Sequence, residues 1–453
     1  MITTDLIIIG AGPGGYETAV EAARRGLSVT VIEAGKTGGT CLVEGCIPTK
    51  CLHRNAEFLE SLQTSETLGI SLQSGRLDFE QVMKRKNEVV ARLQEGVRAL
   101  LQTPGIHMVE GKAYFVEPHT IGIEGSDEQY AAPHIIIATG SVTKMLPVPG
   151  MELPGVLTST SILNLTQLPH SLCVIGGGVI GLEFASIFNA FGCKVTVVEY
   201  CKEILPNLDS ALAKRLRLVL KQKGIDIITQ AEVKSVEQLP DGNLGVNYLN
   251  KGRTLQCIAQ NVLCAVGRAA NTGSLNLADA GIHFTPRGIT VDEHMQTHAK
   301  GIYAIGDVNG LCQLAHAATA QGKVALNHIL GNESAGINLQ IMPSVVFTLP
   351  EMASVGLSED ACKQQQIAYT AHKSFYRANG KALAMNEPEG MVKLITSADD
   401  GKILGCHLFG AHASDLIQEI VCLMHFGGTL TDLKQIIHAH PTLCELIADA
   451  AHA

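Results

Sequence analysis

The sequence predicts an α/β chain: two doubly wound parallel-sheet domains, a central segment and an α+β C-terminal domain. Three observations carry that prediction. Residues 5–33 and 171–199 align without a gap at an offset of 166, with 12 of 29 positions identical. Each copy reads strand, Gly-rich turn, helix, strand. Short apolar runs closed by a glycine turn recur at 135–140 and 301–306, as buried parallel strands do. Near the C-terminus, 345–357, 391–395 and 403–408 read as strands, and 415–426 and 430–437 as helices.

Length and patterning set the boundaries. At roughly 100–200 residues per domain, the 453 residues divide at 1–145, 146–267, 268–335 and 336–453. Residues 77–102 have helical periodicity and stop near Thr103-Pro104-Gly105. The Pro/Gly-rich stretch 147–154 reads as a linker before the second repeat, and 331–337 as a connector. Residues 172–191 are apolar enough to suggest a membrane span. They are the second copy of a soluble repeat, so they read instead as a buried strand and a helix packed on a sheet.

Composition excludes several function classes. Lys+Arg 34 against Asp+Glu 43 gives a net charge of −9, which argues against nucleic acid or an anionic membrane as the main partner. Trp is absent and aromatics are 4%, so stacking platforms for bases are poorly supplied. Met1-Ile2-Thr3-Thr4-Asp5 runs straight into a strand pattern, without a secretory signal, which predicts a cytoplasmic location. The 13 cysteines are then mostly reduced, buried, small hydrophobes.

The repeat carries the first chemistry. Gly10-x-Gly12-x-x-Gly15 follows a strand and opens a helix, and Glu33 ends the next strand. Gly176, Gly178, Gly181 and Glu199 repeat the pattern. The first glycine allows a tight turn, the second lets a pyrophosphate reach the helix N-terminus, and the third lets helix and strand pack closely. The acid accepts from a ribose 2′-hydroxyl. Two such sites imply two dinucleotides, most economically FAD in the first and a nicotinamide in the second. Glu199 favours NAD, because a carboxylate repels a 2′-phosphate.

The second chemistry lies in Gly38-Gly-Thr40-Cys41-Leu-Val-Glu-Gly45-Cys46-Ile-Pro48-Thr-Lys50. Spacing alone is ambiguous, because Cys41 and Cys46, and Cys46 and Cys51, are each five apart. Pro48 suggests a helix starting near Cys46, which puts that thiol at the positive end and Cys51 inside. The segment resembles the active-site stretch of the flavin disulfide reductases, the class I pyridine nucleotide-disulfide oxidoreductases. Within them it is most similar to the branch that oxidises dihydrolipoamide. Val266-Gly-Arg268-Ala-Ala-Asn271, Gly306-Asp307, Leu314-Ala-His316, Val346-Phe-Thr-Leu-Pro350, Phe375-Tyr-Arg-Ala-Asn379 and His438-Ala-His440-Pro441-Thr-Leu-Cys-Glu445 extend the resemblance over nearly the whole chain.

That resemblance implies a redox disulfide Cys41–Cys46, with Cys41 as the outer, interchange thiol and Cys46 facing the flavin. It pairs Lys50 with Glu183 and makes His440 the general base, oriented by Glu445. It adds Gly14, Gly39, Thr40, Lys50, Ala113, Thr139, Gly140, Asp307 and Ala315 to the FAD site, and Val233 and Gly267 to the NAD site. No metal is expected, although His438 and His440 stand two apart. The expected assembly is a homodimer in which the C-terminal dimerisation domain of one subunit supplies His440 to the other. The expected partner is a lipoyl domain of a 2-oxo acid dehydrogenase acyltransferase or a glycine-cleavage carrier protein. Val43 and Cys444 depart from the family's usual Asn and Ser; the sharper reading of Cys444 is an extra oxidisable thiol near the redox centre. The alternatives are a related reductase of another disulfide or of mercuric ion and, from a different class, a non-catalytic flavin-binding module.

Overall fold

The computed structural model describes residues 1–71, 77–332 and 336–453. The connector expected at 331–337 therefore lies partly outside the described residues. The chain forms two compact units: Met1–Cys51, Glu80–Lys144 and Gly267–Leu339 make the first, and Leu52–Phe79, Met145–Val266 and Gln340–Ala453 the second.

In the first unit five strands pair in parallel, in the order Ile302–Ala304, His134–Ile137, Leu6–Ile9, Val29–Glu33, Ile106–Glu110. Leu6–Ile9 is buried at every position, because a central parallel strand is covered on both faces. A four-stranded sheet built on Ala113–Glu117, Thr120–Ile123 and Gln129–Ala131 is inserted before His134–Ile137. Helix Pro13–Arg24 makes the crossover, and helix Ala315–Ile329 packs along it. Gly322 allows that approach: a Cβ there would fall 2.0 Å from Thr18 Oγ1.

The second unit repeats the design. Val156–Leu157, Asn261–Cys264, Ser171–Ile175, Lys194–Val198 and Asp226–Ile228 form a second five-stranded parallel sheet with the equivalent order. A three-stranded antiparallel sheet, Ala231–Gln238, Leu244–Asn250 and Arg253–Ala259, takes the place of the inserted one. Stretch 172–191 resolves into Ser171–Ile175 and helix Val179–Ala190, which is apolar because nearly all of it is buried. Among the described residues no helix is long and apolar enough to cross a membrane.

The C-terminal part of this unit is an antiparallel sheet in the order Ser344–Val346, Met352–Gly356, Ile403–Phe409, Met391–Ser397, Tyr369–Phe375. Helices Ala413–His425, Leu430–Gln435 and Glu445–His452 accompany it. The single strand expected at 345–357 is two, paired Val346 to Met352, because Pro350 has no amide hydrogen and Thr348 Oγ1 donates to its carbonyl at 2.7 Å. Tyr369–Phe375 was not foreseen; Thr370, His372 and Lys373 give this edge strand little apolar pattern.

Candidate active site

The two glycine loops repeat the same backbone constraints. Gly10 and Gly176 have φ of +109° and +111°, and a Cβ on either would strike a carbonyl oxygen, of Ala138 at 2.4 Å or of Ala265 at 2.5 Å. A Cβ on Gly15 or Gly181 would lie 1.9 or 2.1 Å from the carbonyl oxygen of Gly10 or Gly176. Gly12 and Gly178 differ: a Cβ would find only Gly39 Cα at 3.9 Å in one loop, and nothing within 4 Å in the other. Neither following helix has a side-chain cap. Bare backbone and uncapped N–H groups at a helix N-terminus fit a dinucleotide pyrophosphate.

The acids repeat as well. Glu33 Oε2 accepts from Ala11 N at 2.6 Å and Oε1 from Gly35 N at 2.7 Å. Glu199 accepts from Gly177 N, and from Cys201 N at 2.5 Å. Each carboxylate is therefore fixed by its own glycine loop and keeps lone pairs for a ribose hydroxyl.

Gly39, with φ +62°, brings the cysteine segment against the first loop: a Cβ there would meet Gly12 Cα at 2.6 Å. Thr40–Glu44 forms one π-helical turn, and helix Cys46–Gln63 starts at Cys46 with Pro48 in its first turn. Cys41 is half-buried and Cys46 exposed. A hydrogen bond with Cys46, then burial, pushes the Cys41 thiol up, while the Lys50 charge pulls it down. Cys51 lies buried within the helix, and burial raises its thiol against the opposing pull of Arg85 and Lys86. The geometry thus couples Cys41 with Cys46.

Two further groups stand here that the sequence reading did not single out. Arg268 donates from Nε to Ser141 Oγ at 2.7 Å and from Nη2 to the Ser141 carbonyl at 2.6 Å. Ser141 Oγ donates in turn to Asp307 at 2.5 Å. Burial lowers the Arg268 guanidinium, and the charges of Asp307, Glu44 and Cys46 oppose that shift. A cation beside the cysteine pair is thereby held in place. Arg268 was visible only as part of a family-like segment, since strand pairing of Arg268–Ala270 with Ser141–Thr143 creates the contact.

The other expected FAD residues surround this loop system. Thr139 Oγ1 donates to the Asn271 carbonyl at 2.8 Å, and Asn271 Nδ2 donates back to Thr139 O at 3.2 Å, which fixes the turn at Gly140. Gly111 N donates to Glu33 O at 2.9 Å, so Ala113, two residues on, lies near the acid. Ala315 opens helix Ala315–Ile329, and His316 is exposed in its first turn. Gly14 is buried, with its Cβ direction 3.2 Å from Ala318 Cβ and 3.3 Å from Ile305, so it serves helix packing. Val43 is half-buried against the sheet core, an apolar place for a residue where the family usually has an amide.

In the second unit Glu183 is buried, and its Oε1 accepts from Phe347 N at 3.0 Å. Val233 sits at a bulge in Ala231–Gln238, whose first residue donates to Glu199 O at 2.9 Å. Gly267, of the first unit, has φ +114° and an open Cβ direction.

His440 and Glu445 form a dyad. His440 Nδ1 lies 2.9 Å from Glu445 Oε1, and Thr442 N donates to Oε2 at 2.8 Å. The bond to His440 holds the Glu445 carboxyl below its ordinary value. An ionised carboxylate only accepts, so Nδ1 carries the proton and Nε2 is the free acceptor. The His440 side chain is 82% exposed. His438 instead meets Glu419 at 2.8 Å and the Ile436 carbonyl at 3.1 Å. Among the described residues no group of three or more His, Cys, Asp or Glu is placed to hold a metal. His407 is buried against the Leu357 carbonyl at 3.0 Å, and burial lowers it, which marks a structural imidazole. Cys444 is half-buried against the C-terminal core, and burial raises its thiol.

Comparison with known proteins agrees over the full length. The model of the pyridine nucleotide-disulphide oxidoreductase family matches residues 4–322, and that of its dimerisation domain matches 342–451. The chain is 40% identical to a dihydrolipoyl dehydrogenase of Geobacillus stearothermophilus and 41% to one of Staphylococcus aureus, over 99% of this chain and 96% of each relative. Among solved structures, the Cu(II) complex of the HOCl-induced flavoprotein disulfide reductase RclA from Escherichia coli superposes with a TM-score of 0.90 at 30% identity. The match covers 100% of this chain and 99% of that one. By sequence and by fold, along its whole length, the chain belongs to the pyridine nucleotide-disulphide oxidoreductase family.

Proposed function

We propose that the protein oxidises protein-bound dihydrolipoamide to lipoamide and reduces NAD to NADH, through FAD and a redox-active Cys41–Cys46 disulfide. The observation that carries this reading is the hydrogen-bonded thiol pair Cys41 and Cys46 at a helix start, under the charges of Lys50 and Arg268. The relatives named dihydrolipoyl dehydrogenase supply the substrate class. In this reading residues 1–145 bind FAD with completion by 268–335, 146–267 bind NAD, and 336–453 form the dimer interface.

When bound, FAD supplies the two-electron carrier between the dithiol and NAD. The residues of the chain do the rest. Glu445 fixes the His440 tautomer, and His440 Nε2 takes the proton from one substrate thiol. That thiolate attacks Cys41 Sγ, the Cys41–Cys46 bond breaks, and Cys46 leaves as a thiolate stabilised by the helix N-terminus and the nearby cations. The second substrate thiol attacks the mixed disulfide, closes the lipoamide ring and releases Cys41 as a thiol. Lys50 supplies a positive charge beside the cysteine pair. His440 acts on the cysteine pair of the partner subunit, which matches its exposure here. The partner is a lipoyl domain of a 2-oxo acid dehydrogenase acyltransferase or a glycine-cleavage carrier, and the location cytoplasmic.

The test is NADH formation by the purified, flavin-loaded protein with dihydrolipoamide, with NAD and NADP compared. Rapid NADH formation with a strong NAD preference supports the reading. Absence of turnover with flavin still bound overturns the substrate and brings another disulfide or mercuric ion forward.

A further inference from the structure

A second pair of thiols meets in the second unit, away from Cys41 and Cys46. Cys173 lies on the central parallel strand Ser171–Ile175, in register with Thr196 on one side and Val262 on the other. Cys257 lies on Arg253–Ala259, the outer strand of the three-stranded antiparallel sheet, opposite Val246. Alternation turns Cys257 and Ala259 inward while Gln256 and Ile258 face solvent. The two sheets pack face to face, and Cys173, Cys257, Val246, Ala259 and Cys264 share the core between them. There the strands Ser171–Ile175 and Arg253–Ala259 touch, and the Cys173 and Cys257 thiols lie within electrostatic reach of each other, with Thr196 beside Cys257.

We infer that Cys173 and Cys257 form a second redox couple, closing to an intramolecular disulfide under hydroperoxide. Their environments divide the labour. Cys173 is fully buried, whereas Cys257 is partly exposed and is the thiol an oxidant reaches. The neighbouring Cys173 thiol, helped by Thr196 and the Lys194 charge, draws the Cys257 thiol down, against burial and Asp226. The direction favours the thiolate at Cys257 over Cys173, whose own thiol is raised by Cys257 and by burial. The Cys257 thiolate attacks a peroxide oxygen, the O–O bond breaks, and hydroxide leaves; Cys257 becomes a sulfenic acid. Cys173 then attacks that sulfur, the S–O bond breaks, and the departing hydroxide takes up the Cys173 proton as water. Two thiols lose two electrons, and one hydrogen peroxide becomes two waters. The bond would tie the strand that feeds the second glycine loop to the sheet that carries Val233.

The test uses the intact wild-type holoenzyme. Hydrogen peroxide is applied and removed, the protein is denatured in an alkylating reagent, and its peptides are weighed. A Cys173–Cys257 cross-linked peptide, lighter by two hydrogens than the two free peptides and split by dithiothreitol, is expected. In Cys173→Ser the bond cannot close, so Cys257 is expected as a sulfenic acid captured by dimedone. Full alkylation of both residues after peroxide, or a different partner for Cys257, overturns the inference. Recovery of Cys257 as an over-oxidised acid with Cys173 alkylated overturns it as well.

Discussion

Glu199 is buried and both of its oxygens already accept backbone N–H groups. A 2′-phosphate brought beside it would meet a carboxylate that cannot turn away. We expect kcat/KM to favour NAD over NADP by about 10²-fold or more, equivalent to ~3 kcal/mol. Glu199→Gln should reduce that ratio at least about tenfold, because the charge goes and an amide N–H₂ turns toward a donor. His440 offers a second residue-scale test. Replacement with Gln removes the base, so kcat for dihydrolipoamide should fall by about 10²- to 10⁴-fold. Glu445→Ala should fall less, since Nε2 survives and only its orientation is lost. Steady-state assays in which the two variants lose equal activity would contradict the division into base and orienter.

At the scale of elements, Lys393 on strand Met391–Ser397 is fully buried and reaches Asp209 at 2.7 and 2.8 Å and Glu359 at 3.0 Å. Asp209 is also the N-cap of helix Ser210–Gln222, accepting from Ala211 and Leu212. One lysine thus joins a strand of the C-terminal sheet to a helix of the nucleotide fold. Lys393→Met strands a buried carboxylate, so denaturant unfolding should show a loss of about 3–5 kcal/mol. The double change Lys393→Met with Asp209→Asn should cost less, because no buried charge is left unpaired. The hydrogen bond from Lys393, aided by Lys363 and Tyr369, pulls Glu359 from 4.5 down to about 2. A depressed carboxylate contributes stability that is complete above pH 4.5 and lost as the pH falls toward about 2. Melting temperatures of wild type and Glu359→Gln should therefore converge across that window. Parallel curves would show that the ion pair does not govern acid stability.

At the scale of the whole molecule, the C-terminal region carries exposed apolar groups that a lone chain does not explain. Ile437 is 96% exposed and Phe426 84%. Both fall within residues 342–451, which match the dimerisation domain. Burial of such groups is what an obligate interface supplies. Ile437→Glu should lower the sedimenting mass toward one chain and, because His440 lies three residues away, abolish dihydrolipoamide oxidation with flavin retained. A monomer with full activity would refute the sharing of His440 between subunits.

The sequence by itself determined the doubly wound folds, because glycine spacing, strand apolarity and the closing acid are local and occur twice. It also determined the helix start at Cys46, since Pro48 suits only the first turn of a helix. Spacing left open which cysteines stand together; packing buries Cys51 within its helix and brings Cys41 beside Cys46. The sequence said nothing of the contact between Arg268 and Ser141, which meet across 127 residues through a two-stranded ladder. Nor did it show that Cys173 faces Cys257, since a sheet-on-sheet contact leaves no periodic trace in either strand. The division follows from range: turns, caps and periodicity act over a few residues and are written in sequence, whereas side chains brought together by strand order and sheet packing exist only after the chain has folded.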